Sequence, residues 1–199
     1  FSPDSGSVRF DGDLMVDRDL YHIGYLPEER GLYRNMTVEA QAMFLARIRG
    51  LSKSDAKVKI DYWFDRFDIN DWRKKRVEEL SKGMAQKIQF ICAVLHEPKL
   101  LILDEPFSGF DPVNTETIKN HILELKNEGT TIVFSTHNMA SVEELCQNIT
   151  TPLILGENFH GIDHAALSLE LGSGDAIMPD LMRIGGISGW LKTAALAEA

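Results

Sequence analysis

The sequence predicts an α/β fold built on a mostly parallel sheet, and three observations carry that prediction. Leu100-Leu101-Ile102-Leu103 is an unbroken apolar run closed by Asp104; a strand without polar alternation belongs in a parallel sheet covered on both faces. Thr131 to Ser135 (Thr-Ile-Val-Phe-Ser) is a second such run, rich in β-branched residues. Segments with helical apolar spacing lie between and around the two runs, so strand and helix alternate as right-handed crossover units require.

The elements follow in order. Ser2-Pro3-Asp4-Ser5-Gly6 reads as a turn, Ser7 to Phe10 as a short strand, and Asp11-Gly12 as a hairpin turn. His22 to Leu26 is a strand that Pro27 ends. Thr37 is an N-cap for a helix to Arg49, with Val38, Ala42, Leu45 and Ile48 at helical spacing, Phe44 beside them, and Gly50 as its stop. Ser52 opens a second helix with Asp55 as capping-box partner and an apolar face of Ile60, Trp63, Phe64 and Phe67. A third helix starts at Ser81 and runs to about His96, with Met84, Ile88, Ile91 and Leu95 on one side and Pro98 beyond it. Val113 to Asn127 and Met139 to Gln147 complete the helices, and Leu153-Ile154-Leu155 is one more strand; Gly156–Ala199 carries no strong pattern.

Composition removes several classes. Hydrophobic residues make up 44% and charged residues 26% of 199, an ordinary globular balance. Lys plus Arg number 21 against 30 Asp plus Glu, a formal net charge of −9, which argues against bulk-charge binding of nucleic acid or anionic lipid. No apolar run approaches the ~18 residues of a spanning helix, and Phe1–Phe10 lacks the order of a secretory signal. Cys92 and Cys146 lie in apolar helical stretches and read as buried free thiols.

The chemistry sits at strand ends. Leu100–Asp104 followed by Glu105 and Pro106 delivers two carboxylates to the carboxyl edge of a parallel sheet, where ligands of open α/β sheets bind. Four apolar residues closed by Asp resemble the Walker B pattern of nucleotide-hydrolysing enzymes, which implies Mg²⁺ held at Asp104 largely through water, and Glu105, on the opposite strand face, suits polarising a water for in-line attack on a phosphate. Leu80-Ser81-Lys82-Gly83-Met84-Ala85-Gln86 opens a helix whose bare N–H groups and positive end suit a phosphate. Ser108-Gly109-Phe110-Asp111-Pro112 follows the acids, and Ser135-Thr136-His137-Asn138 follows the next strand with an imidazole at the same edge.

In this order and at these spacings the motifs resemble the nucleotide-binding domain of ATP-binding cassette (ABC) transporters, over roughly residues 1–150. The resemblance implies a P-loop NTPase fold of the ABC ATPase type with a helical subdomain at about 37–96, and leaves 151–199 as a divergent tail. Leu80–Gln86 is similar to the signature motif, with Ser81 and Gly83 kept and Lys82 and Met84 where the family usually has Gly and Gln. Leu100–Glu105 is similar to Walker B, Ser108–Asp111 to the D-loop and His137 to the switch histidine; Ile23–Glu28 is similar to the Q-loop with Glu28 at the Gln position. Leu26–Tyr33 together with Leu-Ser-Lys-Gly most resembles a bacterial subgroup for drug or sodium export and related gliding-type systems.

The family then implies ATP and Mg²⁺ as cofactors. Asp104 and Glu28 are expected at the metal, Glu105 and His137 as catalytic groups, and Ser81 and Gly83 at the γ-phosphate bound to a partner domain. Asp111 is expected to link the two sites of a homodimer. A transmembrane permease is the expected second partner, nucleic acid is not one, and the expected place is the cytoplasmic face of the membrane. No Gly-x-x-x-x-Gly-Lys-Ser/Thr occurs in the sequence; the resemblance places that loop just before Ser2, so the chain reads as truncated behind it, with a sheet edge left open. Gly186–Thr193 echoes the loop, but Leu191 stands where the second Gly is needed and no strand leads in. A catalytically incompetent fragment and a soluble non-transport ABC-type ATPase are the alternatives.

Overall fold

The computed structural model describes residues 5–28, 31–107, 112–135, 154–156, 159–170, 176–178, 180 and 182–197. The chain divides into two compact units, Phe1–Thr136 and His137–Ala199.

The first unit opens with a hairpin, β1 (Arg9–Phe10) against β2 (Asp13–Leu14). Asp11 and Gly12 turn it with φ of 54° and 88°, the pair of positive values an Asp-Gly turn provides. β3 (Ile23–Leu26), β4 (Leu100–Asp104) and β5 (Thr131–Ser135) form a parallel sheet in that order, in the register Leu26↔Leu103 and Leu103↔Phe134. β3 passes close to the end of α3 (Lys82–Val94): a Cβ on Gly24 would meet the Ala93 carbonyl oxygen at 2.4 Å.

The caps read from sequence are in place. Thr37 accepts from Ala40 N–H at the start of α1 (Val38–Ile48), Ser52 accepts from Asp55 N–H at the start of α2 (Lys53–Arg66), and Ser81 accepts from Met84 N–H at the start of α3. α3 stops at Val94 and not His96: the chain turns after it, with Glu97 N–H donating to the Val94 carbonyl at 2.9 Å and Glu97 in the left-handed region at φ of 52°. Ile60, Phe64, Ile88, Ile91 and Leu95 are fully buried and make the core of the α1–α3 layer. The expected inner face of α1 is corrected: Val38, Gln41, Ala42 and Ala46 are buried, whereas Ile48 and Phe44 face out. Arg73 ties α1 to α2, donating to Glu39 Oε1 at 2.9 Å and Asp61 Oδ1 at 2.7 Å. Arg66 of α2 reaches Glu124 of α4 (Pro112–Asn127), and the His121 ring of α4 lies 4.7 Å from that of Phe67.

The expectation that both apolar strands are covered on both faces is also corrected. Leu101 and Leu103 are buried, but Leu100 and Ile102 are only half-buried, and no residue of β5 is buried. Tyr25, Ile102 and Val133 share one register row, and Tyr25 and Val133 are 50% and 53% exposed. The physical reason is coverage: among the described residues β5 is an edge strand, paired on one side only.

The second unit pairs β6 (Ile154–Gly156) in parallel with β7 (Ala176–Met178), each followed by a helix, α5 (Ile162–Glu170) and α6 (Gly186–Ala197). Phe159, Ala165 and Ile184 form its buried cluster. The strand expected at Leu153–Leu155 is thus present as β6, and order exists where no pattern was legible. The expected helix Met139–Gln147 lies outside the described residues, as does Cys146; Cys92 is buried, and burial pushes its thiol up to about 12.

Candidate functional site at the carboxyl edge of the sheet

β4 ends at Asp104, half-buried and level with Ser135 across the sheet. Ser135 donates its hydroxyl to Asp104 Oδ1 at 2.6 Å. Immediately after the strand, Glu105 takes φ of 47°, the left-handed region, and its N–H donates to the Ser135 carbonyl at 3.0 Å. The expectation that strand alternation sends Glu105 to the opposite face therefore gives way: a turn sets its direction. Pro106 and Phe107 are buried behind it, and Phe107 meets Phe134 edge-on at 6.5 Å between ring centres.

Parallel register brings Glu28 to the same edge, two residues past the end of β3, where it is exposed. Beyond it the chain is held to α1 by Gln41, fully buried, whose Oε1 accepts from Tyr33 N–H at 2.8 Å. A cavity of about 190 Å³ lies behind this loop, lined by Pro27, Leu32, Leu45, Arg49 and His96 among others. Tyr33 meets Phe44 edge-on at 5.5 Å on the outer surface.

Ser81 and Gly83 occupy a different position, the first turn of α3. The Ser81 oxygen is engaged by Met84 N–H at 3.3 Å. Lys82 and Gly83 are first-turn residues whose N–H groups the helix itself cannot satisfy. Gly83 has open space where a Cβ would project. Asp111 and His137 lie outside the described residues. Asp104, Glu105 and Glu28 are thus gathered at one edge, with Ser81 and Gly83 apart from them. Ser135, which touches both acids, was not singled out from sequence, although aligning the two apolar runs end to end pairs it with Asp104.

The oxygen donors at this edge fit a hard divalent cation. Mg²⁺ takes one or two carboxylates, keeps several waters and shares the rest of its shell with substrate phosphate. Asp104 offers one carboxylate, of which Ser135 engages Oδ1. No group of three His, Cys, Asp or Glu side chains among the described residues converges to hold a metal alone, so the donor set suits a cation that arrives with a phosphate.

A parallel sheet whose central strand ends in an acid pair, with a capped helix in a separate helical layer, fits a P-loop nucleoside-triphosphatase fold, and likeness to solved structures identifies it as one. The ABC transporter family model matches residues 1–108. An uncharacterised ABC transporter ATP-binding protein of Alkalihalophilus pseudofirmus is 49% identical over 160 residues, 78% of this chain and 60% of that protein. Another, YhaQ of Bacillus subtilis, is 58% identical over 144 residues, 72% of this chain and 48% of that protein. A solved ATP-binding subunit of an ABC transporter superposes with a TM-score of 0.65 at 31% identity, covering 72% of this chain and 61% of its own. The chain belongs to the ABC transporter ATP-binding family, whose fold is of the ABC ATPase type. It spans about half to three-fifths of the length of the curated relatives it matches. A second family model, enolase C-terminal domain-like, matches residues 133–199. Gly186–Ala197 is the helix α6, so the loop-like echo within it is not a phosphate loop.

Proposed function

We propose that this chain is part of the ATP-binding and ATP-hydrolysing subunit of a membrane exporter, acting as a homodimer against a permease on the cytoplasmic side. The observation that supports it best is the pair Asp104–Glu105 at the end of a parallel strand, braced by the end of the next one. Asp104 and Glu28 would hold a hydrated Mg²⁺, whose charge would offset that of the phosphates. Glu105 takes a proton from the attacking water, and His137 donates to the γ-phosphate. Ser81 and the Gly83 N–H close over the γ-phosphate held by the partner domain, the helix dipole favouring that anion. Asp111 links the two sites. Residues 1–150 are the nucleotide-binding portion, 37–96 its helical subdomain, and 151–199 a separate tail. Glu28, α1 and α2 report nucleotide state to the permease, and the exposed Tyr33–Phe44 pair supports a docking surface there.

Magnesium-dependent ATP hydrolysis by the full-length parent tests the assignment: Glu105→Gln retains ATP binding and loses turnover. Retained turnover removes Glu105 from its role. A second reading is a catalytically incompetent fragment, the 199 residues containing no Gly-x-x-x-x-Gly-Lys-Ser/Thr. Equilibrium binding of a fluorescent ATP analogue to this chain separates the two, micromolar affinity being inconsistent with the fragment.

A further inference from the structure

We propose that Ser135 is the positioning residue of the acid pair: its side chain fixes the carboxylate of Asp104 while its main chain fixes the turn that presents Glu105. The inference rests on the reading of Asp104 as a metal-holding group and goes beyond it by naming what holds that group in place.

Two contacts from one residue carry it. The Ser135 hydroxyl donates to Asp104 Oδ1 at 2.6 Å, the length of a charge-assisted O–H···O⁻ bond. Ser135 is exposed, so water competes for that hydroxyl and the bond forms in spite of the competition. The donation occupies one oxygen and sets the carboxylate plane, leaving Oδ2 for a hydrated cation. On the main chain, the Ser135 carbonyl accepts from Glu105 N–H at 3.0 Å. Glu105 needs such a partner, because left-handed backbone at a non-glycine residue costs on the order of 1 kcal/mol or more and persists only when its surroundings over-determine it. The register Asp104↔Ser135 aligns both contacts at once. Carboxylates that ligate metals are themselves hydrogen-bonded, and loss of that outer partner weakens metal binding by about 10- to 100-fold.

The two halves separate by substitution. Ser135→Ala removes the side-chain bond and keeps the main-chain one. Ser135→Thr keeps both, and Ser135→Cys keeps the volume with a poor donor. The probe is Mn²⁺ titrated with ATP into the ¹⁵N-labelled full-length parent, since the donor set suits a cation that arrives with a phosphate, read as paramagnetic broadening of the Asp104, Glu105 and Ser135 amide signals. The native chain and Ser135→Thr are expected to broaden selectively there. Ser135→Ala and Ser135→Cys are expected to need about tenfold more Mn²⁺, with the Glu105 amide shift unchanged. Asp104→Asn is expected to abolish the effect. Native-like titration of Ser135→Ala and Ser135→Cys alongside a silent Asp104→Asn overturns the role of Ser135 alone. Broadening that persists in Asp104→Asn, or Mn²⁺ that ignores this edge in the native chain, overturns the metal reading of Asp104 and this inference with it.

Discussion

His96 Nε2 lies 3.2 Å from the Ile23 carbonyl oxygen, so the turn after α3 is fastened to the first residue of β3. With Nε2–H donating, Nδ1 is the unprotonated nitrogen, and it has no hydrogen-bond partner among the described residues. Burial pushes this imidazole down to about 4, with nearby Arg49, His22 and Lys59 adding to the fall and the Ile23 bond opposing it. The unfolded chain, with an ordinary histidine near 6.5, binds the proton that the folded chain refuses. The folded state therefore has its full stability above about pH 6.5 and loses it progressively as pH falls toward 4, by about 3 kcal/mol from this group. His121, also lowered chiefly by burial, acts in the same direction. Urea unfolding at pH 7.5, 5.5 and 4.5 measures the slope, and His96→Gln is expected to flatten it; an unchanged slope in that variant contradicts the assignment.

Gly83 separates a fold role from a phosphate role. A Cβ there meets nothing within 4 Å, and its φ is not in the left-handed region. Gly83→Ala is therefore expected to leave thermal stability unchanged or raise it by up to about 1 kcal/mol, since alanine is the better helix former. In the parent protein the same methyl would stand between the α3 N-terminus and a γ-phosphate approaching from the partner, and ATPase turnover is expected to fall by at least about tenfold, the equivalent of one lost charge-assisted bond. Scanning calorimetry and phosphate release check the two halves; full turnover in the variant removes Gly83 from the closing surface.

What was legible in the sequence divides along burial. The capped helices were readable because Thr37, Ser52 and Ser81 act locally, each on an N–H three residues on. The acid pair was readable because an apolar run ending in Asp-Glu has one natural place in a parallel sheet. Coverage of the sheet was misread, because the periodicity of β5 records which neighbours its sequence suits and not which neighbours are present. Ser135 was passed over since its meaning is set by register with a residue 31 positions away. In the second unit the apolar run at Leu153–Leu155 marks β6, whereas β7, three residues long, is too short for any period to show.

Phe44 tests the permease surface. It is 38% exposed and meets Tyr33 edge-on, a contact worth about 0.5–1.5 kcal/mol. Phe44→Asp is expected to lower stability by no more than that, yet to abolish co-purification of the parent protein with its membrane subunit. Retained association at native levels excludes this patch from the interface.

Val133 and Leu103 sit on neighbouring strands and make a controlled comparison of the two sheet faces. Leu103 is 1% exposed and Val133 53% exposed. Truncating Leu103 to Ala leaves a cavity in the buried core and is expected to cost about 2–5 kcal/mol. Replacing Val133 by Lys removes an apolar side chain that water already reaches, so the cost is expected within about 0.5 kcal/mol. The charge also blunts a strand edge that invites pairing with another chain. In the 199-residue chain, Val133→Lys is thus expected to reduce binding of an apolar-surface dye and slow aggregation at unchanged unfolding midpoint, while Leu103→Ala does the reverse on both counts. Equal destabilisation by the two substitutions means the Tyr25–Ile102–Val133 row is covered in solution, and the account of β5 as an uncovered edge fails with it.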